Sequence, residues 1–137
     1  RSHESNYKMA IGEETGFSIP LKSGRNIQYF KVRPELKGTS CQTQRGSKRR
    51  TYSYGPLLFE NEIQATAREC FAEALTRLEQ ACFDVVLHVH DEVVVEVDAK
   101  DAEAAAKDVD KIMSKTPDWL EGCPLATSYE ISDHYTK

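Results

Sequence analysis

Two runs of β-branched residues, Val85-Val86-Leu87 and Val93-Val94-Val95-Glu96-Val97, stand on either side of the polar pentad His88-Val89-His90-Asp91-Glu92. β-Branched side chains suit strands, and an acidic pair between two such runs predicts a hairpin with its tip at the pentad. Upstream, Ile63, Ala67, Cys70, Phe71, Ala74, Leu75, Leu78 and Cys82 recur at three- and four-residue steps. That spacing predicts a long helix from about Phe59 to Ala81 with one apolar stripe, and Glu73 and Arg77 form an i,i+4 pair on its exposed side. Downstream, Ala102, Ala106, Val109, Ile112 and Met113 predict the buried face of a second helix from about Asp101 to Lys115. Asp98 or Asp101 can accept its first amide hydrogens, Lys111 and Lys115 suit its negative end, and Pro117 stops it.

The ends of the chain carry weaker patterns. Ser18-Ile19-Pro20-Leu21 and Ile27-Gln28-Tyr29-Phe30 flank Lys22-Ser23-Gly24-Arg25, which predicts a hairpin with a Ser-Gly turn. Residues 37–50 are polar, basic and Gly/Ser-bearing, which predicts a surface loop with a basic flexible stretch over 41–50. Leu125 to Ile131 reads as a last strand. The order hairpin, loop, long helix, hairpin, helix, strand predicts a single antiparallel α+β domain, its sheet and His-Asp-Glu hairpin packed against two helices.

Composition narrows the class. The 137 residues are 39% hydrophobic, enough for one globular core. There is no apolar run of about 18 residues and no leader-like opening, so neither a membrane nor a secreted protein is expected. Arg1-Ser2-His3 reads as a cloning scar or as the interior of a longer chain. Cys41, Cys70, Cys82 and Cys123 show no CxxC pair and no zinc-ligand spacing, so buried thiols are expected rather than disulfides.

The net charge of −4 hides an asymmetry. Residues 1–54 hold eleven Lys/Arg against four Asp/Glu, or +7, whereas residues 55–137 hold seven against eighteen, or −11. A basic front end on an acidic body points to a polyanion partner, with Lys48, Arg49 and Arg50 as the candidate phosphate contacts. The plainer reading is a solvated loop. At the other end, a hairpin tip is a rigid platform that can aim a carboxylate into a cleft, which makes His90, Asp91 and Glu92 the candidate centre of chemistry.

Taken together, several segments resemble the C-terminal end of an A-family DNA polymerase, phage members especially. They are the run from Tyr54-Gly55-Pro56 through Gln64 to Arg68, then Val89-His90-Asp91-Glu92-Val93, then Trp119 through Tyr135-Thr136-Lys137. The His-Asp-Glu segment is similar to that family's third polymerase motif, in the palm. Gly24-Arg25 with Tyr29 is similar to its Gly-Arg segment, and the likeness runs from about Phe17 to Lys137.

The resemblance implies a part of a polymerase palm. Nucleotidyl transfer uses two Mg²⁺ ions about 3.5–4 Å apart, bridged by carboxylates. Asp91 would be one such ligand, Glu92 an auxiliary acid, and His90 a hydrogen-bonding partner of the primer terminus. Gln64 would reach the minor groove near the primer end, where acceptors occur in every correct base pair. Asn61 would be its companion and Arg25 a backbone contact. His88 takes no family role and reads as a partly buried strand histidine.

The family's upstream metal-binding aspartate and its triphosphate-binding fingers have no counterpart before Phe17. The expected arrangement is therefore a split subunit, a gene remnant or an excised fragment, inactive alone. It would meet primer–template DNA directly, and dNTP through fingers elsewhere. It would pair with an N-terminal polymerase polypeptide or with itself, without a membrane, in the cytoplasm of a bacterial host if phage-encoded. Two other readings stay open: a non-catalytic DNA-binding or structural remnant, and a metal-dependent hydrolase using His88, His90 and Asp91.

Overall fold

The computed structural model describes residues 16–135. The expectations placed on Arg1-Ser2-His3 and on Thr136-Lys137 lie outside those residues. Secondary structure is α+β with antiparallel pairing throughout, and the backbone divides into two compact units with the boundary between Thr66 and Ala67.

In the first unit, β1 (Phe17–Pro20), β2 (Asn26–Glu35), β3 (Gly38–Gln42) and β4 (Thr51–Ser53) form one sheet in sequential order. The β1–β2 hairpin turns where the Ser-Gly dipeptide predicts. The Leu21 amide donates to the Arg25 carbonyl at 2.8 Å, and the Gly24 amide to the Leu21 carbonyl at 3.0 Å. Gly24 sits at φ 92, which only glycine adopts without cost. Ile19, Tyr29 and Cys41 form the core, with Phe17, Ile27, Val32 and Leu58 packed on it.

The expectation of a loop over 37–50 is corrected in its first part. Gly38–Gln42 is a strand, and its Cys41 is fully buried. Sequence pattern does not show it because polar side chains, Ser40 and Gln42, are buried beside Cys41, with Ser40 held by Glu35 and Arg50. The Thr39 and Ser53 hydroxyls lie 2.9 Å apart across the β3–β4 pair, and the Cys41 thiol donates to the Thr51 carbonyl at 3.6 Å. The true connecting loop is 43–50.

The long helix α1 runs Gly55–Gln80, four residues earlier than its periodicity suggests. Pro56 explains the early start, since a proline in the first turn gives up an amide that has no helical partner there. The apolar stripe is real only in the second half. Cys70, Phe71, Ala74 and Leu78 are buried, whereas Phe59 and Ile63 are more than half exposed. Ile63 is thus a correction.

Helix α1 ends in a Schellman motif. The Phe83 amide donates to the Leu78 carbonyl at 3.0 Å and the Cys82 amide to the Glu79 carbonyl at 2.9 Å, with Cys82 at φ 62. Glycine normally fills that left-handed position. Cys82 is exposed, contrary to the expected buried thiol; Cys70 is buried and Cys123 is exposed. Burial raises the Cys70 thiol above its ordinary range, and the Cys123 and Glu73 charges add to it. Cys82→Gly should stabilise the chain by about 0.5–1 kcal/mol, because the left-handed penalty outweighs the added freedom of the unfolded chain. A urea titration showing no gain would contradict this.

In the second unit, β5 (Asp84–Val89) and β6 (Glu92–Glu96) make a separate two-stranded sheet, so the described residues form two sheets rather than one. A one-turn 3₁₀ segment, Ala99–Asp101, leads into α2 (Ala102–Met113). Neither Asp98 nor Asp101 makes a side-chain cap hydrogen bond, a correction; both carboxylates face Lys100 instead, at 3.5 and 4.0 Å. The α2 face predicted to be buried is only half-buried. Pro117 does stop the helix, and it is fully buried.

The Glu73–Arg77 pair forms at 2.8 Å, but it is no surface ornament. Arg77 donates to the Ile112 and Lys115 carbonyls at 3.2 and 2.8 Å, satisfying the open end of α2, while Trp119 Nε1 donates to Glu73 at 2.8 Å. Hydrogen bonds from Arg77 and then Trp119 hold the Glu73 carboxyl below its ordinary range. The expected last strand over 125–131 is also corrected. That segment has no ladder partner among the described residues, and Tyr129 and Ile131 are nearly half exposed. Side chains tie it down instead, with Thr127 bonded to Ser114 and Asp110, and Thr116 to the Cys123 carbonyl. Among the described residues no helix is long and apolar enough to cross a membrane.

Candidate functional site

At the tip of the β5–β6 hairpin Val89 faces Glu92, so His90 and Asp91 alone make the turn. Two-residue turns that match strand twist place residues at positive φ. His90 takes that position at φ 56 without being glycine. Histidine is one of the few non-glycine types enriched in that region, so His90 suits the turn locally. A register shift between Val85 and Leu87 bends the strand below. His90, Asp91 and Glu92 are all exposed.

The neighbours of the tip are specific. His88 meets the edge of the Phe71 ring at a centroid distance of 6.1 Å, and the Arg68 guanidinium lies 5.8 Å over the same ring. His88 is therefore an aromatic packing partner, although an exposed one. Partial desolvation and the nearby negative charge of Glu92 raise the Tyr135 phenol above the ordinary tyrosine pKa.

Among the described residues no three His, Cys, Asp or Glu side chains converge as a metal site. His88, His90 and Asp91 thus do not form the chelate that the hydrolase alternative requires. Asp91 and Glu92 are what the hairpin offers: two adjacent exposed carboxylates. Hard oxygen ligands few in number are what Mg²⁺ takes from protein, since water and phosphate fill the rest of its shell. The pair fits as part of such a site, not as the whole of one.

The first unit carries a second constellation. Arg25, Tyr29, Asn61 and Gln64 line one open groove with Gln28 and Thr43. Asn61 Nδ2 donates to the Tyr29 hydroxyl at 3.0 Å, and Gln64 Nε2 to Glu60 Oε1 at 3.1 Å. Arg25, Asn61 and Gln64, named separately from the sequence, thus share one surface, with Gln28 and Thr43 as members that sequence reasoning missed.

The basic candidates divide. Lys48 and Arg49 are exposed on the 43–50 loop. Arg50 is half-buried, and its guanidinium donates to the Lys31 carbonyl at 2.8 Å and to the Ser40 carbonyl at 2.6 Å. Lys31 sits at φ 48 in the β2 bulge, so Arg50 clamps an irregular stretch of sheet. Its hydrogen-bonding capacity is largely committed there.

Known phage proteins resemble this chain over part of their length. The chain is similar to a DNA polymerase of Bacillus phage SP02, 37% identical over 127 residues that cover 87% of this chain and 19% of that protein. It is also similar to a DNA polymerase of Mycobacterium phage D29, 26% identical over 120 residues covering 77% of this chain and 20% of that one. The chain spans about a fifth of the length of these curated relatives. It is related to a segment of phage DNA polymerases. No protein-family model and no solved structure matches it.

Proposed function

We propose that this chain is a palm segment of an A-family, template-dependent DNA polymerase, contributing a metal-binding aspartate and contacts to the primer terminus. The observation that carries the reading is the 37% identity to a phage DNA polymerase across 87% of the chain. The turn that presents Asp91 beside Glu92 and His90 supports it.

Asp91 and Glu92 would hold Mg²⁺ together with a carboxylate from elsewhere in the polymerase, since no third ligand joins them among the described residues. When bound, paired Mg²⁺ ions supply charge stabilisation for the attacking and leaving oxygens of the transfer. His90, fixed at the first turn position, orients the primer terminus by hydrogen bonding. The Arg25–Asn61–Gln64 groove meets the duplex behind the terminus, and dNTP is held by the fingers of the wider polymerase.

The test is primer extension with Mg²⁺ and this chain alone. The proposal expects no extension, because one carboxylate pair without its counterpart or the triphosphate-binding residues lacks the positioning that phosphoryl transfer needs. Robust template-directed extension would overturn the assignment of the missing ligand to another segment. Exchanging Lys48 and Arg49 together for alanine should weaken duplex binding and flatten its salt dependence, by up to about 0.9 log unit for each phosphate that the two side chains neutralise. An unchanged slope would place that loop away from DNA.

A further inference from the structure

The Asn61 carboxamide is held from below. Its Nδ2 donates to the Tyr29 hydroxyl at 3.0 Å, a contact between residues 32 apart in sequence. Tyr29 is only 3% exposed, and its ring stacks on Phe17, its cross-strand partner, at 4.8 Å and 22°. A phenol ring stacked in the core, with its oxygen bonded to a residue of the groove, is a fixed anchor. Asparagine on a helix surface otherwise has several rotamers of similar energy.

We infer that Tyr29 is a positioning residue: its hydroxyl sets the orientation in which Asn61, beside Gln64, meets the ligand of this groove. The inference rests on the proposed reading of the groove as a primer–template surface. The phenol makes no contact with the duplex itself. It removes the rotamer freedom Asn61 would otherwise lose on binding, which costs of order 0.5–1.5 kcal/mol per immobilised side chain.

The discriminating variant is Tyr29→Phe, which keeps the stacked ring and deletes only the oxygen. Anisotropy of a labelled primer–template duplex at low salt should show about a 2- to 10-fold loss of affinity. In an Asn61→Ala background the same change should cost nothing further, because the group being positioned is gone. An unchanged affinity, or an equal loss in both backgrounds, overturns the inference; the second result would mean Tyr29 acts through general packing. Proton exchange of the Asn61 carboxamide, read by NMR on the free chain, tests the anchor without DNA. Protection in the wild type that Tyr29→Phe abolishes is expected; no difference sinks the anchor. A wild-type chain that shows this protection yet binds no duplex would defeat the primer–template reading alone.

Discussion

Asp91→Ala, placed in a polymerase that carries this segment, should lower turnover by roughly three or more orders of magnitude while primer–template affinity stays within a few-fold of wild type. The asymmetry follows from where the carboxylate acts. A metal ligand at the reacting centre stabilises charge that develops in the transition state, whereas duplex binding draws on many phosphate contacts remote from it. Loss of an interaction made mainly in the transition state lowers kcat and kcat/KM together. Asp91 is exposed and sits in the turn itself, so truncating it removes no buried contact and leaves the hairpin ladder intact. Single-turnover extension and duplex binding, measured on the same preparation, separate the two effects. A defect confined to binding would show that the hairpin carries no catalytic ligand.

Leu78→Ala should destabilise the chain by about 3 kcal/mol, a large share of the roughly 5–15 kcal/mol that holds a domain together. Leu78 is fully buried, and the other buried residues of α1, Cys70, Phe71 and Ala74, precede it on the same face. Its carbonyl also anchors the Schellman turn, but that bond is backbone and survives the substitution. The loss is therefore packing and cavity. Leu78→Met conserves volume and should cost less than about 1.5 kcal/mol. Urea titration should show the midpoint falling for alanine at nearly constant slope. Equal costs for the two variants would contradict the packing argument.

What can be read from the chain, and what cannot, divides along physical lines. The β1–β2 turn and the body of α1 follow from local pattern: a Ser-Gly dipeptide between apolar runs, and a sustained helical period. Ile63 fits that period yet stays exposed, because periodicity reports a face and not whether anything covers it. β3 is hidden because Ser40, Cys41 and Gln42 are buried on a strand whose polar groups are satisfied largely across strands, a long-range fact. The Leu125–Ile131 segment shows the reverse. Its composition suits a strand, but no neighbour among the described residues supplies the ladder.

The same division governs the site. Asp91 and Glu92 stand out because two valine-rich runs bracket them. Arg25, Asn61 and Gln64 can be named singly, but their common groove depends on how β2 meets the start of α1. Arg50 reads in the sequence as one of three basic contacts, and only the bulge at Lys31 reveals its structural employment.

On the proposed reading this chain can serve as the matching segment of a DNA polymerase. The most direct test of that reading replaces that segment in the Bacillus phage enzyme with this chain and measures primer extension on a defined template with Mg²⁺. Template-directed extension is the predicted result. A chimera that folds and binds primer–template as the phage enzyme does, yet adds no nucleotide, would contradict it.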